Sequence, residues 1–416
     1  MNILLIHQFY LEKEDGGGSR FNEMTKIWSA KGHRVTVLSG MVHYCSGKKY
    51  EKYSKRMFYK HSNYYNNVNV VRCHVSEAYN TNFFGRLWAY LSFMFTSLYA
   101  GIFITKDKYD LILVTSPPLF VGVTGVLLSI IKRIPFVFEI RDLWPESAID
   151  TGVLKNKFII RLAYIFEKFI YRRARMINVL TPAYAEKLIN DKNVNEDKII
   201  IIPNAADFKL AENQMSTFDS IKFREELGFS EKFVITYVGA HGVANHLIQL
   251  LQVADKIRDT DIVFQLIGDG MQKDMLIKYA EEKNINNVIF RDSVSKEEVF
   301  NYIIASDLGV SVLRNVETFK TIYSNKTFDY MSCKIPVLML IDGVSRQLIE
   351  DAECGKYAEP ENIEDIEEAI LSLRNLGPNK LKKMGGSGYN FAKTNFDREV
   401  LAQGYIEHLA EISSAI

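Results

Sequence analysis

Short apolar runs alternate with longer amphipathic stretches almost from end to end of this chain, a pattern typical of repeated strand and helix units. In the first half the apolar runs predict strands at residues 3–6, 34–38, 111–114, 136–140, 176–180 and 199–202. From Pro203 to about Asp219 the sequence is polar and irregular, and we expect a linker there. The alternation predicts an α/β fold in which parallel sheets carry helices on both faces.

The pattern restarts after the linker, with strands predicted at residues 233–238, 262–267, 288–290, 308–312 and 337–341. At 416 residues the chain is too long for one ordinary core. We therefore expect two Rossmann-like, doubly wound domains, residues 1–205 and 206–394, with a C-terminal helix at about 395–416 packed on the first domain. A glycine-rich turn follows the first strand of each domain, which predicts a ligand in the cleft between them.

The most informative charges lie in the segment at residues 323–337, YSNKTFDYMSCKIPV. It predicts a helix that begins at Ser324 or Asn325 and ends near Cys333. Lys326 and Asp329 are three residues apart and therefore share a helix face. A first-turn lysine opposes the helix dipole unless it meets an anion, so we expect Lys326 to bind phosphate and Asp329 to bind sugar hydroxyls. The alternative is a solvated lysine and aspartate on an ordinary helix.

A run of three glycines precedes the first predicted helix, at residues 16–18. Gly17 and Gly18 would allow a bound group to approach the backbone closely, next to free N–H donors at the helix start. The run is not GxGxxG, and no acidic residue stands where a dinucleotide ribose would need one, which argues against NAD. A plain tight turn is the alternative.

Two further glycine-containing turns follow predicted strands of the second half. After the strand at 233–238, Gly242 and Val243 can present backbone N–H groups to a diphosphate, while His241 is either a phosphate contact or incidental. The strand at 262–267 ends in Gly268 and Gly270, which we also assign to the donor site.

Four charged residues crowd the end of the strand at 136–140, where ligands gather in parallel sheets. They are Glu139, Arg141, Asp142 and Glu146. Burying them together is costly unless they are paired or functional. Arg141 could neutralise phosphate or orient Asp142, and the alternative is an internal network of arginine and carboxylates.

One acidic pair resembles a metal site but has the wrong position. Asp259 and Asp261 form a DxD pattern at the amino end of the strand at 262–267, which is the face opposite the ligand, so we predict no metal site. Glu317 and Lys320 follow the strand at 308–312 on the correct face. A carboxylate there could approach a donor sugar, and either Arg314 or Lys320 could approach its phosphates.

Composition narrows the classes of partner and compartment. The chain has 51 Lys and Arg against 50 Asp and Glu, so we expect no nucleic-acid partner. Its four cysteines are scattered without a CxxC pair, which indicates a reducing compartment and no zinc site. Because Met1 runs directly into the first strand without a signal peptide, we predict a cytoplasmic protein.

Two segments suggest a membrane surface. The uncharged stretch at residues 87–104 just reaches the length of a span, but the strand that follows it favours a crossover helix with one face in the core and the other at a membrane interface. The basic and aromatic run at residues 48–60, KKYEKYSKRMFYK, is either a solvated loop or a contact with anionic lipid.

Together these residues resemble the retaining GT-B glycosyltransferases of family GT4. The nearest likeness is to the bacterial enzymes that add N-acetyl-L-fucosamine during O-antigen and capsule assembly. The resemblance covers nearly the whole chain and rests on the motifs GGGSRF, EIRDLWPES, IIIPNAADF, YVGAHGVANHL, LIGDG and SNKTFDYMSCKIPVL.

The resemblance implies a role for each matching position of the donor site. Lys326 would meet the donor diphosphate, and Asp329 would hold the ribose hydroxyls, although the family more often has glutamate at that position. Gly242 and Val243 would donate N–H groups to phosphate, and Val294 would lie against the uracil.

The implied catalytic positions match the family less completely. The upstream glutamate of the family's Glu-x7-Glu motif has no match, because Thr321 stands there, and Glu317 would substitute. Asp142 and Arg141 would assist by orientation and charge, and no cofactor or metal would be needed. With no nucleophile evident, the preferred mechanism is a front-face substitution.

The expected function is therefore transfer of a sugar, N-acetyl-L-fucosamine, from a UDP-sugar to a saccharide on a polyprenyl diphosphate. The enzyme would work in O-antigen or capsular polysaccharide biosynthesis, peripherally bound to the inner face of the plasma membrane. Two alternatives are a UDP-sugar 2-epimerase on the same fold and a non-catalytic scaffold of polysaccharide assembly.

Overall fold

The structure is a computed structural model that describes residues 1–13, 15, 20–43, 47–80, 83–150 and 154–414. The chain divides into two compact units, Asn204–Arg398 and a discontinuous unit of Met1–Pro203 with Glu399–Ile416. The sequence prediction puts this division at residues 205 and 206 and begins the C-terminal segment at residue 395.

The strands fall into two groups, eight in the first unit and six in the second, within the described residues. They are β1 (Asn2–Ile6), β2 (Arg34–Gly40), β3 (Phe58–Tyr65), β4 (Val68–Cys73), β5 (Leu111–Ser116), β6 (Phe136–Ile140), β7 (Met176–Val179), β8 (Ile199–Ile201), β9 (Phe233–Val238), β10 (Ile262–Ile267), β11 (Val288–Arg291), β12 (Leu308–Val312), β13 (Val337–Leu340) and β14 (Gly355–Tyr357).

Helices connect most consecutive strands. They are α1 (Arg20–Ala30), α2 (Phe83–Tyr99), α3 (Val121–Lys132), α4 (Glu146–Asp150), α5 (Lys157–Arg173), α6 (Pro182–Asn190), α7 (Phe208–Thr217), α8 (Ser220–Glu226), α9 (Ile248–Lys256), α10 (Lys273–Glu282), α11 (Lys296–Ile304), α12 (Asn325–Ser332), α13 (Val344–Asp351), α14 (Ile363–Arg374), α15 (Pro378–Asn395) and α16 (Arg398–Ser414).

The first unit is built on a sheet of order β3-β4-β2-β1-β5-β6-β7-β8. All neighbours are parallel except β3, which runs antiparallel to β4 at the edge. The central strands β1, β5 and β6 are buried almost throughout, because helices cover both faces of a parallel sheet. The topological switch point of the sheet lies between β1 and β5, because the strands before β5 add to one side of β1 and those from β5 onward add to the other. Ligands bind at the carboxyl ends of the strands at such a point.

The C-terminal helix α16 completes one face of this sheet. The indole N–H of Trp28 in α1 donates to the carbonyl of Ala402 at 2.8 Å. The Tyr405 ring lies 5.9 Å from the Trp28 ring, and Leu409 is fully buried in the same cluster. The last helix therefore contributes core residues to the first unit.

The basic and aromatic run at residues 48–60 is partly tied to neighbouring segments of the first unit. Tyr53 is buried and donates its hydroxyl to Glu12 at 2.8 Å, and Lys52 pairs with the same carboxylate at 3.1 Å. Glu12 also pairs with the buried Arg72 of β4 at 2.9 Å. Tyr53 and Lys52 therefore help to hold the segment that follows β1, and the run continues into β3.

Helix α2 continues without interruption into a π-helical turn at Ala100–Ile104. By length and composition alone, Phe84–Ile104 is apolar enough to cross a membrane, and 33% of its most apolar window is buried inside the molecule. Its buried side packs on α3, where the Ser97 and Thr124 hydroxyls are 3.3 Å apart.

The second unit is built on a fully parallel sheet of order β11-β10-β9-β12-β13-β14. In chain order this is the 3-2-1-4-5-6 arrangement of a Rossmann fold. The strands predicted at 233–238, 262–267 and 308–312 coincide with β9, β10 and β12, and the predicted class of two Rossmann-like α/β sheets is confirmed.

The predicted linker from Pro203 to Asp219 is wrong over most of its length. Residues 208–217 form helix α7, whose N-cap Asp207 accepts a hydrogen bond from the Leu210 N–H at 3.2 Å. Phe208 and Ala211 are buried in the core of the second unit. The apolar face of this helix is short, which is why its sequence pattern looks irregular.

Candidate functional site

The second sheet opens at the point where β9 and β12 separate. These strands pair only through Leu308 with Ile235 and Gly309 with Thr236. Beyond those pairs the Tyr330 hydroxyl of α12 bridges the two strands. It accepts a hydrogen bond from the Val238 N–H and donates one to the Val310 carbonyl, both at 3.2 Å. A side chain at Gly309 would collide with the Tyr330 ring. Helix α12 is therefore held at the carboxyl edge of the sheet, where a ligand is expected.

The first turn of α12 carries Lys326 beside the glycine turn that follows β9. Its N-cap residue, Ser324, makes no side-chain capping hydrogen bond. The Lys326 ammonium lies 4.8 Å from the centre of the Tyr237 ring, and its Cε lies 3.3 Å from the position a Cβ of Gly239 would take. Lys326 therefore places a positive charge beside the Gly239 turn, at the end of α12 where the helix dipole is also positive.

The pKa values of Lys326 and Asp329 are both shifted, and the two side chains do not form an ion pair with each other. Burial lowers the pKa of Lys326 to about 8, an effect that the charge of Asp329 opposes. Burial raises the pKa of Asp329, opposed by the nearby cations Lys296 and Arg398. Among the residues that the structure describes, neither charged group forms an ion pair. Both remain available to an external anion and to hydroxyl donors.

A charge cluster beside Asp329 was missed by the sequence analysis. Asp207 accepts a hydrogen bond from Arg398 at 2.7 Å and from Lys296 at 3.4 Å. Although burial opposes it, these two cations lower the pKa of Asp207. Asp207, Lys296 and Arg398 are far apart in the sequence, so no local sequence motif indicates the cluster.

The turns after β9 and β10 interlock through glycines. Gly268 has φ +148° and a Cβ there would collide with the Gly239 carbonyl, while Gly270 has φ +156° and lies against the backbone of His241. The Gly239 N–H donates to Ile267 at 3.0 Å, and the His241 N–H donates to Asp269 at 2.9 Å. Only glycine fits both the space and the backbone angles.

The remaining residues of the turn after β9 shape its surface. Gly242 caps a short 3-10 turn, Val243–Asn245, in which Val243 is exposed. The imidazole of His241 is buried, and neither ring nitrogen has a hydrogen-bond partner within the described chain. Burial and the charge of Lys273 lower the pKa of His241 to about 4, so the ring is neutral.

Three other predicted residues lie on neighbouring loops of the second unit. Val294 is partly buried between β11 and α11 and packs on the core. Glu317 lies in a short 3-10 helix and pairs with Lys320 at 2.7 Å, while Lys320 also lies 3.9 Å from Asp342. The Glu317 side chain is 80% exposed, so this pair is a surface contact whose role in the site stays a prediction.

The acidic pair at residues 259 and 261 lies at the amino end of β10. Asp261 is held there by Arg374, with its Oδ2 2.5 Å from Nη2 and 3.1 Å from Nε. Across the described ranges, no three His, Cys, Asp or Glu residues are grouped as metal ligands would be.

In the first unit, the charges predicted to cluster after β6 go to separate partners. Glu139 is fully buried, pairs with Arg20 at 3.1 Å and accepts from the Asn178 amide at 2.8 Å. Glu146 pairs with Lys192 at 2.7 Å. The internal network of arginine and carboxylates therefore includes Glu139 but not Glu146.

Asp142 stays at the carboxyl edge of the first sheet, where it accepts a hydrogen bond from the Ser147 hydroxyl at 2.9 Å. Burial raises the pKa of Asp142. Arg141 precedes it, directly after β6, and its charge contributes to the low proton affinity of a nearby histidine, His7.

His7 is a buried residue that the sequence analysis missed. Its Nδ1 is 2.7 Å from the Thr115 hydroxyl, which joins the ends of β1 and β5. Burial, with help from the charges of Arg141 and Arg72, holds the pKa of His7 well below its usual range, so the ring is neutral. Its position immediately after the first strand is the signal that could have identified it.

The predicted donor contacts Gly17 and Gly18 lie outside the described residues. The chain just before them is anchored, because the Asp15 carboxylate accepts from the Tyr50 hydroxyl at 2.5 Å and from the Glu12 N–H at 2.9 Å.

Two family models match consecutive parts of the chain. Residues 15–205 match the glycosyl transferase 4-like domain, and residues 219–391 match the glycosyl transferases group 1 family. Together they span most of both units.

Curated relatives and solved structures agree with these matches. The chain is 24% identical to the putative colanic acid biosynthesis glycosyl transferase WcaI of Escherichia coli, covering 70% of this chain and 71% of that protein. It is 23% identical to the probable glycosyltransferase WbjE of Pseudomonas aeruginosa, covering 72% of each. The structure of HepE from Anabaena in complex with UDP is similar with a TM-score of 0.71 and 19% identity, covering 99% of this chain and 100% of that one.

Proposed function

We propose that this chain is a glycosyltransferase of polysaccharide biosynthesis that moves a sugar from a UDP-sugar to a lipid-linked saccharide with retention of configuration. The proposal is supported by the match of residues 15–205 to the glycosyl transferase 4-like domain, by the match of residues 219–391 to the glycosyl transferases group 1 family and by the GT-B fold. The proposed sugar is N-acetyl-L-fucosamine and the proposed acceptor is a saccharide on a polyprenyl diphosphate. A UDP donor is supported by the UDP in the HepE complex, and polysaccharide assembly by the name of the E. coli relative.

The observation that carries this proposal is the pair of charges on α12. The partly buried ammonium of Lys326 and carboxylate of Asp329 have no ion-pair partner among the described side chains, yet they sit beside a glycine turn at the carboxyl edge of a Rossmann sheet. An ammonium at a helix N-terminus is suited to a diphosphate, and a carboxylate one turn further is suited to vicinal ribose hydroxyls.

In the proposed reaction the bond between the sugar C1 and the diphosphate oxygen breaks as the acceptor hydroxyl bonds to C1 on the same face. The acceptor proton passes to the leaving diphosphate. Lys326 and the backbone of α12 would neutralise the developing negative charge, which is the role a metal has in other transferases. Arg141 and Asp142, on the first unit, would orient the acceptor, and Gly242, Gly268, Gly270, Val243 and Val294 would complete the donor site with Lys320 and Glu317.

The direct test is a screen of UDP-sugars against polyprenyl-diphosphate-linked monosaccharides, with products identified by mass spectrometry and their anomeric configuration by NMR. We expect a disaccharide lipid with the donor's configuration, formed equally in EDTA. An inverted product would contradict the proposed mechanism. Conversion of a UDP-sugar without any acceptor would identify an epimerase instead, and no UDP release with any acceptor would indicate a scaffold.

The proposed acceptor is embedded in a bilayer, so the enzyme would work in the cytoplasm at the inner face of the plasma membrane. Fractionation of cells into soluble and membrane pools, followed by a salt or carbonate wash, tests this. We expect the protein in the membrane pool and its release by the wash, whereas retention after carbonate would indicate an integral membrane protein.

A further inference from the structure

The first unit exposes large apolar side chains on one side of helix α2 and the turn that continues it. Trp88, Phe95, Tyr99 and Phe103 are each more than half exposed. Their spacing of seven, four and four residues puts them on one helix face. Another side of the same helix is buried through Ala89, Phe93 and Ala100, among others. Because that side is fixed in the core, the exposed face is available without unfolding the helix.

Helices α3 and α5 extend this surface. Gly101, in the turn after α2, leaves no room for a side chain beside Leu128 of α3, and Gly122 of α3 leaves none beside Ile170 of α5. The three helices are therefore packed side by side. Helices α3 and α5 expose further large apolar residues, namely Ile130 and Ile131 on α3 and Phe158, Leu162, Ile165 and Phe169 on α5.

Charge distinguishes this surface from an ordinary protein interface. Residues 83–108, 121–133 and 155–173 contain eleven Lys and Arg against two Asp and Glu, in a chain whose overall charge is nearly balanced. One of the two acids, Glu167, is buried and paired with Lys192 at 2.5 Å. Basic residues around exposed aromatic and aliphatic side chains are the features of an interfacial membrane-binding surface.

We propose that the exposed faces of α2, α3 and α5 form the surface by which this protein binds an anionic lipid bilayer. The apolar side chains enter the interface between headgroups and acyl chains, and the surrounding Lys and Arg contact anionic headgroups. The inference deepens the proposed function by identifying its membrane contact. It also moves that contact away from the run at residues 48–60, where Lys52 is already paired with Glu12 and Lys49 donates to the Arg56 carbonyl.

Trp88 gives this surface an intrinsic probe. It is 56% exposed, whereas Trp28 is buried and Trp144 is partly buried, and the chain has three tryptophans. The full chain is mixed with vesicles of phosphatidylglycerol or phosphatidylcholine, and fluorescence is recorded with and without brominated acyl chains. With phosphatidylglycerol we expect a blue shift and bromine quenching, both lost in Trp88→Phe. Affinity for phosphatidylcholine should be at least about tenfold weaker, because it lacks the electrostatic contribution.

Substitutions test the surface residue by residue. Phe95→Glu and Ile165→Glu should each weaken binding to phosphatidylglycerol vesicles by about tenfold or more, measured by co-sedimentation. The matched control is Ile221→Glu, at a position that is 72% exposed on α8 of the second unit, and it should bind like the unmodified chain. Thermal melting and UDP binding are measured on every variant, so that loss of fold or failure of the proposed donor site is distinguished from loss of membrane binding.

Several outcomes would overturn the proposal. These are no binding to phosphatidylglycerol, equal binding to both lipids, equal loss in Ile221→Glu, or a Trp88 signal that does not respond to brominated lipid. A second copy of the chain could also cover this apolar surface, and analytical ultracentrifugation tests for such a dimer. A dimer that the Phe95 and Ile165 variants dissociate would assign the surface to self-association instead.

Discussion

Lys326 is the residue on which the proposed leaving-group chemistry depends. Its ammonium lies beside Gly239 and the Tyr237 ring, with no ion-pair partner in the described parts of the chain. We expect Lys326→Ala to lower kcat by about 10²-fold, the typical cost of removing one preorganised charge-stabilising donor. Lys278→Ala, which removes an exposed lysine from α10, is the control. An unchanged kcat in Lys326→Ala would remove this lysine from the mechanism.

The pH dependence of donor binding should also report Lys326. Burial lowers its pKa to about 8 in the free protein. Below that pH the side chain is charged, and a bound diphosphate favours the charged form, so donor affinity should fall as pH rises through about 8, by up to about tenfold per pH unit. In Lys326→Arg the guanidinium stays charged and this loss should disappear. Calorimetric titration with UDP across the range measures both proteins, and identical profiles would contradict the assignment.

Asp329 should affect donor binding more than turnover. Its carboxylate is proposed to accept hydrogen bonds from ribose hydroxyls, contacts that change little during the reaction. We expect Asp329→Ala to raise the donor KM by about tenfold or more with a small change in kcat. Asp329→Glu should keep most of the affinity, because a longer carboxylate still accepts two hydrogen bonds. Asp274→Ala, at an exposed position on α10, should leave the KM unchanged.

For individual residues, the sequence predicts which near neighbours share a helix face but not which distant residues form ion pairs. The spacing of Lys326 and Asp329 was sufficient to place both on α12. The ion pairs that join Asp207 to Lys296 and Arg398 link residues about ninety and two hundred positions apart, and only the fold brings them beside Asp329. Glu139 and Glu146 are close in sequence, but Glu139 pairs with Arg20 and Glu146 pairs with Lys192, which the sequence does not indicate.

Among the structural elements, the interlocked turns after β9 and β10 depend on glycine. We expect Gly268→Ala to destabilise the second unit by about 1–3 kcal/mol and to weaken UDP binding, because its Cβ would collide with the Gly239 carbonyl at a backbone angle that favours glycine. Gly386→Ala is the control, since that glycine lies in α15 with open space around it and should gain up to about 1 kcal/mol. Urea unfolding and UDP titration measure both variants, and equal stability in the two would contradict the expected collision.

Elements with continuous apolar runs were predicted well, and those with mixed composition were not. β9, β10 and β12 are buried on both faces, and their bounds follow from the sequence. β3, FYKHSNYY, is an edge strand with much of its length exposed, so its polar pattern did not indicate a strand. Helix α7 lies in the predicted linker because its sequence has only a short apolar face, although Phe208 and Ala211 fix the helix to the second core.

For the whole molecule, the first unit is assembled from both ends of the chain, and its core depends on the last helix. Tyr405 is fully buried against Trp28, in a cluster that also contains β1 residues. We expect Tyr405→Ala to destabilise the first unit by about 3–5 kcal/mol through the cavity it creates. The second unit has its own core clusters, so UDP binding, which we assign to it, should be retained.

Hydrogen exchange followed by mass spectrometry separates these two responses, because it reports on peptides from each unit in the intact chain. In Tyr405→Ala the peptides of β1, β2 and β5 should exchange faster while those of β9, β10 and β12 keep their protection. His408→Ala changes a half-exposed position of the same helix and should leave both sets unchanged. Equal loss of protection across β1 and β9 would mean that the two cores unfold together, and the first unit would then not be a separate unit of stability.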